Sequence, residues 1–503
     1  MNRILGLLGL AALLSGCSGR TGVPHPDGYP VTRAMHNPLF VDFESPMFEG
    51  DSLSPLYTAD ASAHVWTVDG REVLYVYASH DIAPPRGCDR MDRYHVFSTE
   101  DLVHWTDHGE ILNADQVREE GGWGIDGFMW APDCAYNPAD ETYYFYFPHP
   151  DYAPDSTHIW RVGVATSKYP DRGFRLIGRV EGVPSYIDPC VFVDDDGQPY
   201  IYNGGGGHCY GGRLRRDDWT QLDGEMQPME GLHDFHEATW IHKYNGRYYL
   251  SHSDNNHFRE GNCMRYAVGD SPLGPWQDLG IYMYPTGCET NHGSIVQFKG
   301  QWYAFYHTAN FSGHGALRSV CVDPIGMDAD GRLRIVQNFG TPRGGVAPKI
   351  SASDTTRIPA VQFNEGGYHY AYFKHRDARR GNYLRDAADS LMGISTDGWR
   401  TWLNDLTRGE WVRYTVDAEQ AGAYAVCCRM ALADGAQETR FHLCVNGFDR
   451  TGEVALPAGD TTWHEIRLAP VELAAGEQYL DFRIDRGSLH FASIELVPLA
   501  GNR

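Results

Sequence analysis

The sequence predicts an all-β protein, a five-bladed β-propeller followed by a β-sandwich of the jelly-roll type. One strand pattern recurs five times between residues 34 and 345, and this range contains no long amphipathic helical pattern. Beyond residue 359, short stretches alternate apolar and polar residues between turns about ten residues apart. Repeated hairpins are typical of propellers, and evenly spaced alternating strands are typical of sandwiches.

Each repeat begins with a polar residue, continues as an apolar strand, turns at Gly or Asn and returns as a Tyr-rich strand. That order predicts a β-hairpin. In "IDPCVFVDDDGQPYIYNGG", Asp188 stands nine positions before Gly197. The five repeats open with Asp60, Asp133, Asp188, Glu237 and the Asn291–His292 pair.

The innermost strand of each propeller blade lines the central channel, so these opening residues should converge on the axis. Crowded carboxylates repel one another, and the repulsion raises some of their pKa values. A pair of carboxyl groups in different states is what acid–base cleavage of a glycosidic bond requires. The alternative is that these residues cap strands or bind loop backbones.

The segments around the two predicted domains have compositions of their own. Residues 18–33 are rich in Gly, Pro and polar side chains and are predicted to form a tether. Residues 346–358 are predicted to form a linker between the propeller at 34–345 and the sandwich at 359–503.

The first 17 residues have the pattern of an export signal. Arg3 supplies a positive start, and the apolar run from Ile4 to Leu14 is too short to span a bilayer. The sequence "LSGC" ends at Cys17 and resembles a bacterial lipobox. We therefore expect a lipoprotein signal peptide at 1–17, lipidation of Cys17, and an exported protein anchored to a membrane. The alternative is an ordinary cleaved signal.

The net charge and the amino-acid composition limit the classes of molecule that the protein is expected to bind. The formal net charge is −24, which disfavours nucleic acid and polyanionic glycans because no cationic surface would offset their charge. The 30 Tyr and 13 Trp residues favour stacking on neutral oligo- or polysaccharides. The ten cysteines after Cys17 include no CxxC pair, so no structural zinc site is expected. Their scatter shows no disulfide framework, although an exported protein could pair some of them. No motif indicates an organic cofactor.

Several motifs together resemble those of glycoside hydrolase family 43. They include "ADASAHVW", "MWAPDCAY", "YIDPCVFVDDDG", "FHEATWIHKYNGRYYLSHS" and "NHGSIVQFKGQWYAFYH", and the resemblance runs over about residues 36–336. It implies a five-bladed propeller and an inverting, exo-acting glycosidase that releases xylose or arabinofuranose from plant-wall glycans. The alternatives are an exo-β-galactanase or another specificity on the same scaffold, and a non-catalytic glycan-binding lipoprotein.

The resemblance also implies roles for the first residues of three repeats. Asp60 in "TADAS" matches the general base, Asp188 in "IDPCVF" the residue that tunes the acid's pKa, and Glu237 in "FHEATW" the general acid. This chain has Ala238 and Thr239 after the acid, where the family often has Gly and Pro.

Four further residues are candidates for the site. His292 in "TNHGS" matches a histidine that often contacts calcium, which makes calcium the candidate structural metal, although neutral imidazole is a weaker calcium ligand than oxygen. Arg318 matches an arginine that reaches sugar hydroxyls, and its alternative is an ion pair. Trp66 and Trp130 are expected to stack on sugar or to pack in blade cores. Asp133 is expected to be structural.

The C-terminal part resembles a carbohydrate-binding module of family 6. "RGEWVRYTVDAEQAGAYAV" and "GDTTWHEIRL" carry the resemblance. Such modules bind sugar between loop aromatics and often hold calcium. Here Ser488 or His490 stands near the position where the family often has Asn. The alternative is a docking domain that supports the propeller.

Overall fold

The computed structural model is almost entirely β-structure. It describes residues 29–499 except 36, 49–51, 256–261, 284, 287, 289, 310, 313, 328–332, 336–346, 365–370, 376–390, 398–399, 434, 437, 447 and 460. The predicted signal peptide, Cys17 and most of the predicted tether lie outside the described residues. Among the described residues, no helix is long and apolar enough to cross a membrane.

Five antiparallel sheets confirm the predicted five-bladed propeller. Each blade follows chain order, and the first strands of neighbouring blades contact one another around the axis. Blade I has an extra edge strand, β1, which pairs with β7. A separate two-stranded ribbon of β2 and β3 lies between β1 and β4 in the chain. The strands of this first part are β1 (Val31–Ala34), β2 (Glu44–Pro46), β3 (Leu53–Pro55), β4 (Tyr57–Val68), β5 (Arg71–Asp81), β6 (Arg93–Thr99) and β7 (His104–Asn113).

Blades II to V have four strands each. A short helix, α1 (Ala114–Gly121), leads into blade II and is capped at its start by the side chain of Asn113. A 3-10 turn at Cys88–Arg90 lies in the loop after β5. The strands are β8 (Asp133–Asn137), β9 (Thr142–Tyr152), β10 (His158–Ser167), β11 (Arg175–Arg179); β12 (Ile187–Val193), β13 (Pro199–Gly205), β14 (His208–Arg213), β15 (Gln227–Pro228); β16 (Phe235–Tyr244), β17 (Arg247–Asp254), β18 (Met264–Gly269), β19 (Gln277–Met283); β20 (Ser294–Phe298), β21 (Gln301–Thr308), β22 (Ser319–Met327) and β23 (Leu333–Ile335).

The N-terminal segment closes the ring between blades I and V. Asn37 exchanges side-chain hydrogen bonds with the backbone of Val322, and the N–H of Leu39 donates to Val320. Phe40 stacks on Phe97 of blade I with ring centroids 3.6 Å apart. The first segment of the chain therefore joins the first blade to the last.

Two seven-stranded sheets form the C-terminal sandwich. Alternating inward residues bury a shared core, in which Phe482 of one sheet stacks on Phe491 of the other at 3.9 Å. The sheet nearer the propeller contains β24 (Lys349–Ile350), β26 (Tyr372–Phe373), β29 (Trp411–Ala418), β31 (Thr439–Val445), β32 (Phe448–Asp449), β33 (Val454–Leu456) and β36 (Gly476–Arg486). The outer sheet contains β25 (Thr356–Pro359), β27 (Ile394–Thr396), β28 (Thr401–Thr407), β30 (Gly422–Leu432), β34 (His464–Arg467), β35 (Val471–Leu473) and β37 (Ser488–Pro498). A 3-10 turn covers Ala360–Gln362.

Two ranges predicted as connecting chain contain paired strands. Residues 31–33 of the predicted tether belong to β1, at the edge of blade I. The described part of the predicted linker contains β24 and most of β25, and these strands pair with β29 and β37. The sandwich therefore takes its first strands from before residue 359, because these short segments supply edge strands to both of its sheets.

The sandwich and the propeller share one apolar cluster. Trp411 and Phe373 of the sandwich pack with Tyr266, Tyr306 and other residues of blades IV and V. At Gly326 of β22, an added Cβ would lie 2.9 Å from the ring of Phe448, so the two domains approach closely there.

Candidate active site

Three inner strands begin at irregularities that orient the candidate carboxylates. The pairing register shifts at Asp60 in β4, at Asp188 in β12 and on both sides of Glu237 in β16. Asp60 and Asp188 have φ of 54°, and Ala238, directly after Glu237, has φ of 67°. Such bulges twist a strand and redirect its side chains. Because Asp tolerates the left-handed region better than most residues, it suits two of these positions.

Asp60 is an ionised carboxylate at the centre of the site. It is 7% exposed and accepts a hydrogen bond from Ser79 Oγ at 2.6 Å. Arg318 donates to both of its oxygens, with Nη1 at 3.1 Å and Nη2 at 3.4 Å. Burial alone would raise the pKa of Asp60, but Arg318, with help from His307, His292 and Ser79, lowers it to about 2.

His307 of β21 supports the unusual backbone of Asp60. The N–H of Asp60 donates to His307 Nδ1 at 3.1 Å, and the opposite ring nitrogen, Nε2, lies 2.8 Å from the carbonyl of Thr290. Burial lowers the pKa of His307 to about 4, so the ring is neutral, with its proton on Nε2. A neutral histidine can therefore hold Asp60 through the main chain.

Asp188 and Glu237 form a pair of carboxyl groups whose electrostatic surroundings differ from those of Asp60. Asp188 is 3% exposed and accepts a hydrogen bond from the N–H of Ala238 at 2.8 Å. Burial, followed by the charges of Glu237 and Asp60, raises the pKa of Asp188 well above its ordinary value. The side chain of Glu237 is 18% exposed. The pair therefore holds its last proton more tightly than isolated carboxyl groups do, and Glu237 is its more exposed member.

His292 lies beside this pair. Its Nδ1 is 3.7 Å from Asp188 Oδ2, and burial lowers its pKa. Calcium takes six to eight oxygen ligands. No group of three or more His, Cys, Asp or Glu side chains among the described residues could hold a metal ion. Calcium stays a prediction from the family resemblance.

Trp130 is linked to the site through a hydrogen bond with Tyr94. Its carbonyl accepts a hydrogen bond from Tyr94, whose pKa is raised by burial and by the charges of Asp60 and Asp188. Its indole Nε1 donates to the carbonyl of Cys88 at 2.7 Å, and its ring lies 4.6 Å from that of Trp160. Trp130 is thus a half-buried aromatic side chain bonded to Tyr94, whose hydroxyl group lies within the electrostatic influence of Asp60 and Asp188.

The structure does not bring Trp66 to the carboxylates. Trp66 is six residues further along β4 than Asp60, which at about 3.3 Å per residue places it roughly 20 Å away. It stacks on His64 with ring centroids 5.0 Å apart and contacts Tyr143 of blade II. Of the two roles expected for Trp66, the structure favours packing in the blade cores, because the strand carries it into the packing between two blades.

Asp133 joins three blades. Its carboxylate accepts hydrogen bonds from Ser62 and lies 2.6 Å from His64 Nε2, both in blade I. It also accepts from its neighbour's N–H in blade II and from the N–H of Val191 in blade III. This is the structural role expected for Asp133.

Sequence reasoning missed the residues that hold Asp60 and Arg318. Ser79 and Asp81 come from β5, and His307 comes from β21 of the last blade. One signal could have found Ser79, which stands as far after the Asp69–Gly70 turn as Asp60 stands before it. Asp81 lies two residues further along the same strand and binds Arg318 Nε at 2.9 Å.

At one end of its inner strands, the propeller holds an ionised carboxylate and a carboxyl pair that retains a proton. This arrangement is typical of a hydrolase of the glycosidase class. The family model described as "Glycosyl hydrolases family 43" matches residues 54–333. The chain belongs to this family.

Individual relatives agree with this assignment. A protein named "Xylosidase/arabinosidase 43A" from Humicola insolens is 37% identical over 337 residues, which cover 56% of this chain and 97% of that protein. An "Arabinoxylan arabinofuranohydrolase" from Bacillus subtilis is 26% identical over 456 residues, 80% of this chain and 83% of that protein.

A solved structure resembles the propeller. It is a family 43 β-xylosidase/α-arabinofuranosidase from a compost microbial metagenome, in complex with xylotriose and described as a calcium-free form. The TM-score is 0.50 at 30% identity, and the match covers 61% of this chain and 98% of that one.

Proposed function

We propose that this protein is an inverting, exo-acting glycoside hydrolase that releases xylose or arabinofuranose from neutral plant-wall glycans. The observation that carries the proposal is the division of labour among the carboxyl groups. Asp60 is held ionised by Arg318, whereas Asp188 and Glu237 keep a proton between them. The β-xylosidase and arabinofuranosidase names of the relatives support the choice of sugars.

In the proposed reaction, Asp60 is the general base and Glu237 the general acid. A water oxygen attacks the anomeric carbon while its proton passes to Asp60. The bond between that carbon and the leaving oxygen breaks, and the leaving oxygen takes a proton from Glu237. A single displacement of this kind inverts the anomeric configuration, and in such enzymes the two carboxyl groups stand about 6.5–9.5 Å apart.

The other site residues have supporting roles in this proposal. Asp188 is the modulator, because its position next to Glu237 makes loss of the second proton costly. Trp130 supplies an aromatic face for a sugar ring. Arg318 keeps Asp60 ionised and is the candidate donor to a sugar hydroxyl.

The activity is tested with nitrophenyl glycosides and with natural xylo- and arabino-oligosaccharides. We expect hydrolysis of β-xylosides or α-L-arabinofuranosides, with NMR of the fresh product showing the inverted anomer. A retained anomer would exclude the mechanism. Activity confined to β-galactosides would indicate an exo-galactanase, and inactivity on all of them a glycan-binding protein.

Two substitutions separate the acid from the base. Glu237→Gln should slow natural substrates by about 10²–10⁴-fold but spare substrates whose leaving group needs no protonation. Asp60→Asn should slow both kinds equally, because water needs a base in either case. Equal losses in both variants on all substrates would contradict the assignment.

We further propose that the sandwich binds neutral glycan on the outer face of its second sheet. Trp402 and Trp463, both half-buried, meet there edge to face at 5.8 Å. Asn404 Oδ1 accepts from Trp402 Nε1 at 2.7 Å, and His490 lies on the neighbouring strand of the same sheet. Paired indoles with adjacent polar groups suit pyranose rings. The Bacillus subtilis relative matches this chain well beyond the propeller, which supports a shared module.

Polymer binding tests this second proposal. Trp402→Ala and Trp463→Ala should each weaken retention of the protein on insoluble xylan while leaving hydrolysis of a nitrophenyl glycoside unchanged. Unaltered retention in both variants would favour the docking-domain alternative.

We also propose that the protein is exported and anchored to a membrane through a lipid on Cys17. The lipobox-like "LSGC" supports this proposal. Cys17→Ala should move the protein from the membrane fraction to the soluble fraction, and unchanged partitioning would contradict the anchor.

A further inference from the structure

Arg318 is held between two buried carboxylates and is bound more closely by Asp81 than by Asp60. Asp81 accepts the backbone N–H of Arg318 at 2.7 Å, its Nε at 2.9 Å and its Nη2 at 3.0 Å. Asp60 accepts only Nη1 and Nη2, at the longer distances of 3.1 and 3.4 Å. The Nε–Nη2 side of the guanidinium, which can bind a carboxylate through two parallel hydrogen bonds, therefore faces Asp81.

These three charged groups are buried, so the way Arg318 divides its hydrogen bonds between the two carboxylates strongly affects the charge around Asp60. Arg318, Asp60 and Asp81 are 6%, 7% and 3% exposed. Charges in such surroundings interact strongly because little water screens them. Asp60 is also fixed independently, by Ser79 on its side chain and His307 on its main chain. A shift of the arginine would therefore change the charge around Asp60 without moving Asp60 itself.

We propose that Asp81 is a positioning residue that holds Arg318 back from Asp60, so that Asp60 stays available to the attacking water. This inference rests on the proposed function, in which Asp60 is the base. Without Asp81, the guanidinium would turn its paired donors towards the one remaining carboxylate. Asp60 would then be bound too tightly to accept a proton from water.

Asp81→Asn tests the proposal, because asparagine keeps the size of the side chain and removes its charge. We expect a loss of about tenfold or more in kcat/KM. The loss should be equal for xylobiose and for a nitrophenyl xyloside, since a defect on the base side does not depend on the leaving group. A loss confined to xylobiose would place the defect at the acid and overturn the proposal.

A double-mutant cycle tests whether Asp81 acts through Arg318. Arg318→Met leaves two buried carboxylates without their cation and should itself be strongly impaired. If Asp81 acts only by positioning Arg318, the variant that combines Arg318→Met with Asp81→Asn should lose no more activity than Arg318→Met alone. Additive losses would mean that Asp81 acts independently, contrary to the proposal.

Asp107→Asn is the matched control. Asp107 is a fully buried carboxylate of the same blade that accepts the N–H of Gly109 at 2.7 Å and lies 3.4 Å from His95 Nδ1, and both partners belong to blade I. It should lower thermal stability but change kcat/KM by less than about threefold, because most structural substitutions away from a site act on stability. A loss as large as that of Asp81→Asn would make general damage to blade I the explanation.

A crystal structure of the Asp81→Asn protein tests the proposal independently of activity. We expect Nε and Nη2 of Arg318 to face Asp60. If Arg318 keeps its present position, the proposal is overturned even if the variant is slow. If the unsubstituted enzyme proves inactive on every glycoside, the proposed function fails, and the crystallographic result still decides whether Asp81 positions Arg318.

Discussion

Asp188 is a buried carboxyl group whose surroundings favour its neutral form. The backbone N–H of Ala238 donates to it and His292 lies nearby, whereas Arg318 is engaged by Asp60 and Asp81. Burial and the charge of Glu237 raise the pKa of Asp188 well above its ordinary value. The native protein therefore binds a proton that the unfolded chain, with an Asp pKa of about 3.9, has already released.

This difference predicts how Asp188→Asn changes stability with pH. Where the native state holds more protons than the unfolded state, stability falls as pH rises, and for Asp188 this window runs from about pH 4 up through its raised pKa. Asparagine cannot ionise, so the variant should melt at a higher temperature than the natural protein at pH 8 and at nearly the same temperature at pH 4. Scanning calorimetry at the two pH values measures this, and an equal gain at both would contradict it.

The same substitution should cost activity. Without the neighbouring carboxyl group, the alkaline limb of the pH–rate profile should move to lower pH, because a like charge no longer favours retention of the proton. A profile with an unmoved alkaline limb would remove Asp188 from the role of modulator.

Ala238 is strained where a glycine would not be. Its φ of 67° lies in the left-handed region, which costs a residue with a Cβ about 1–2 kcal/mol. Ala238→Gly removes that strain but adds roughly 0.5–1 kcal/mol of unfolded-state entropy, so the net gain should be about 0.5–1 kcal/mol. Denaturant unfolding measures the difference. Ala63→Gly, at an ordinary φ in β4, is the control and should destabilise the protein.

The residues could be predicted from sequence to different degrees. Asp60, Asp188 and Glu237 were found because each opens an inner strand of a repeat. Ser79, Asp81 and His307 were missed because their proximity to Asp60 depends on strand pairing and on closure of the ring. The two roles expected for Trp66 could not be told apart for a related reason, because period-two alternation predicts the face of a strand but not how far along it a site extends.

At the scale of elements, the inner strands are held together by hydrogen bonds as well as by apolar packing. Asp133 at the start of β8 is 1% exposed and receives donors from blades I, II and III. The repeat pattern predicted these strands and their order. It could not predict that Asp133 would receive donors from three blades, since that depends on which donors surround it.

Asp133→Ala should therefore destabilise the propeller without changing its chemistry. Two backbone N–H groups and Ser62 Oγ would lose their acceptor, which should cost roughly 3 kcal/mol or more. Below the melting transition, kcat should stay within a few-fold of the natural value. Asp140→Ala, in the exposed turn after β8, is the control. A large fall in kcat at full folding would show that Asp133 serves the reaction.

At the scale of the whole molecule, the sandwich is docked on the propeller. Trp411 is 2% exposed and shares a cluster with residues of blades IV and V. Beside it, the buried Arg413 pairs with Asp481 at 2.7 Å. The sequence predicted two self-contained domains, and each has its own core, but side chains at their contact could not be distinguished from core residues by pattern alone.

The docked interface predicts different outcomes for two tryptophans of the sandwich. Trp411→Ala should cost about 3–5 kcal/mol and lower the melting temperature of the propeller as well as of the sandwich. Trp402→Ala, on the opposite sheet, should cost much less. Differential scanning calorimetry distinguishes them, and equal small shifts would mean that the two domains are energetically independent.

The closure of the ring has a consequence for biosynthesis. Asn37 bonds to Val322, 285 positions later in the chain, so a ribosome must make nearly the whole propeller before the first segment finds its partner. Until then, Phe40 can stack on blade I, but the far side of that segment and the flank of the first blade stay exposed to water. Contacts this distant in sequence slow folding and leave apolar surface open to aggregation. A nascent chain of this protein should therefore depend on chaperones until its last blade has emerged.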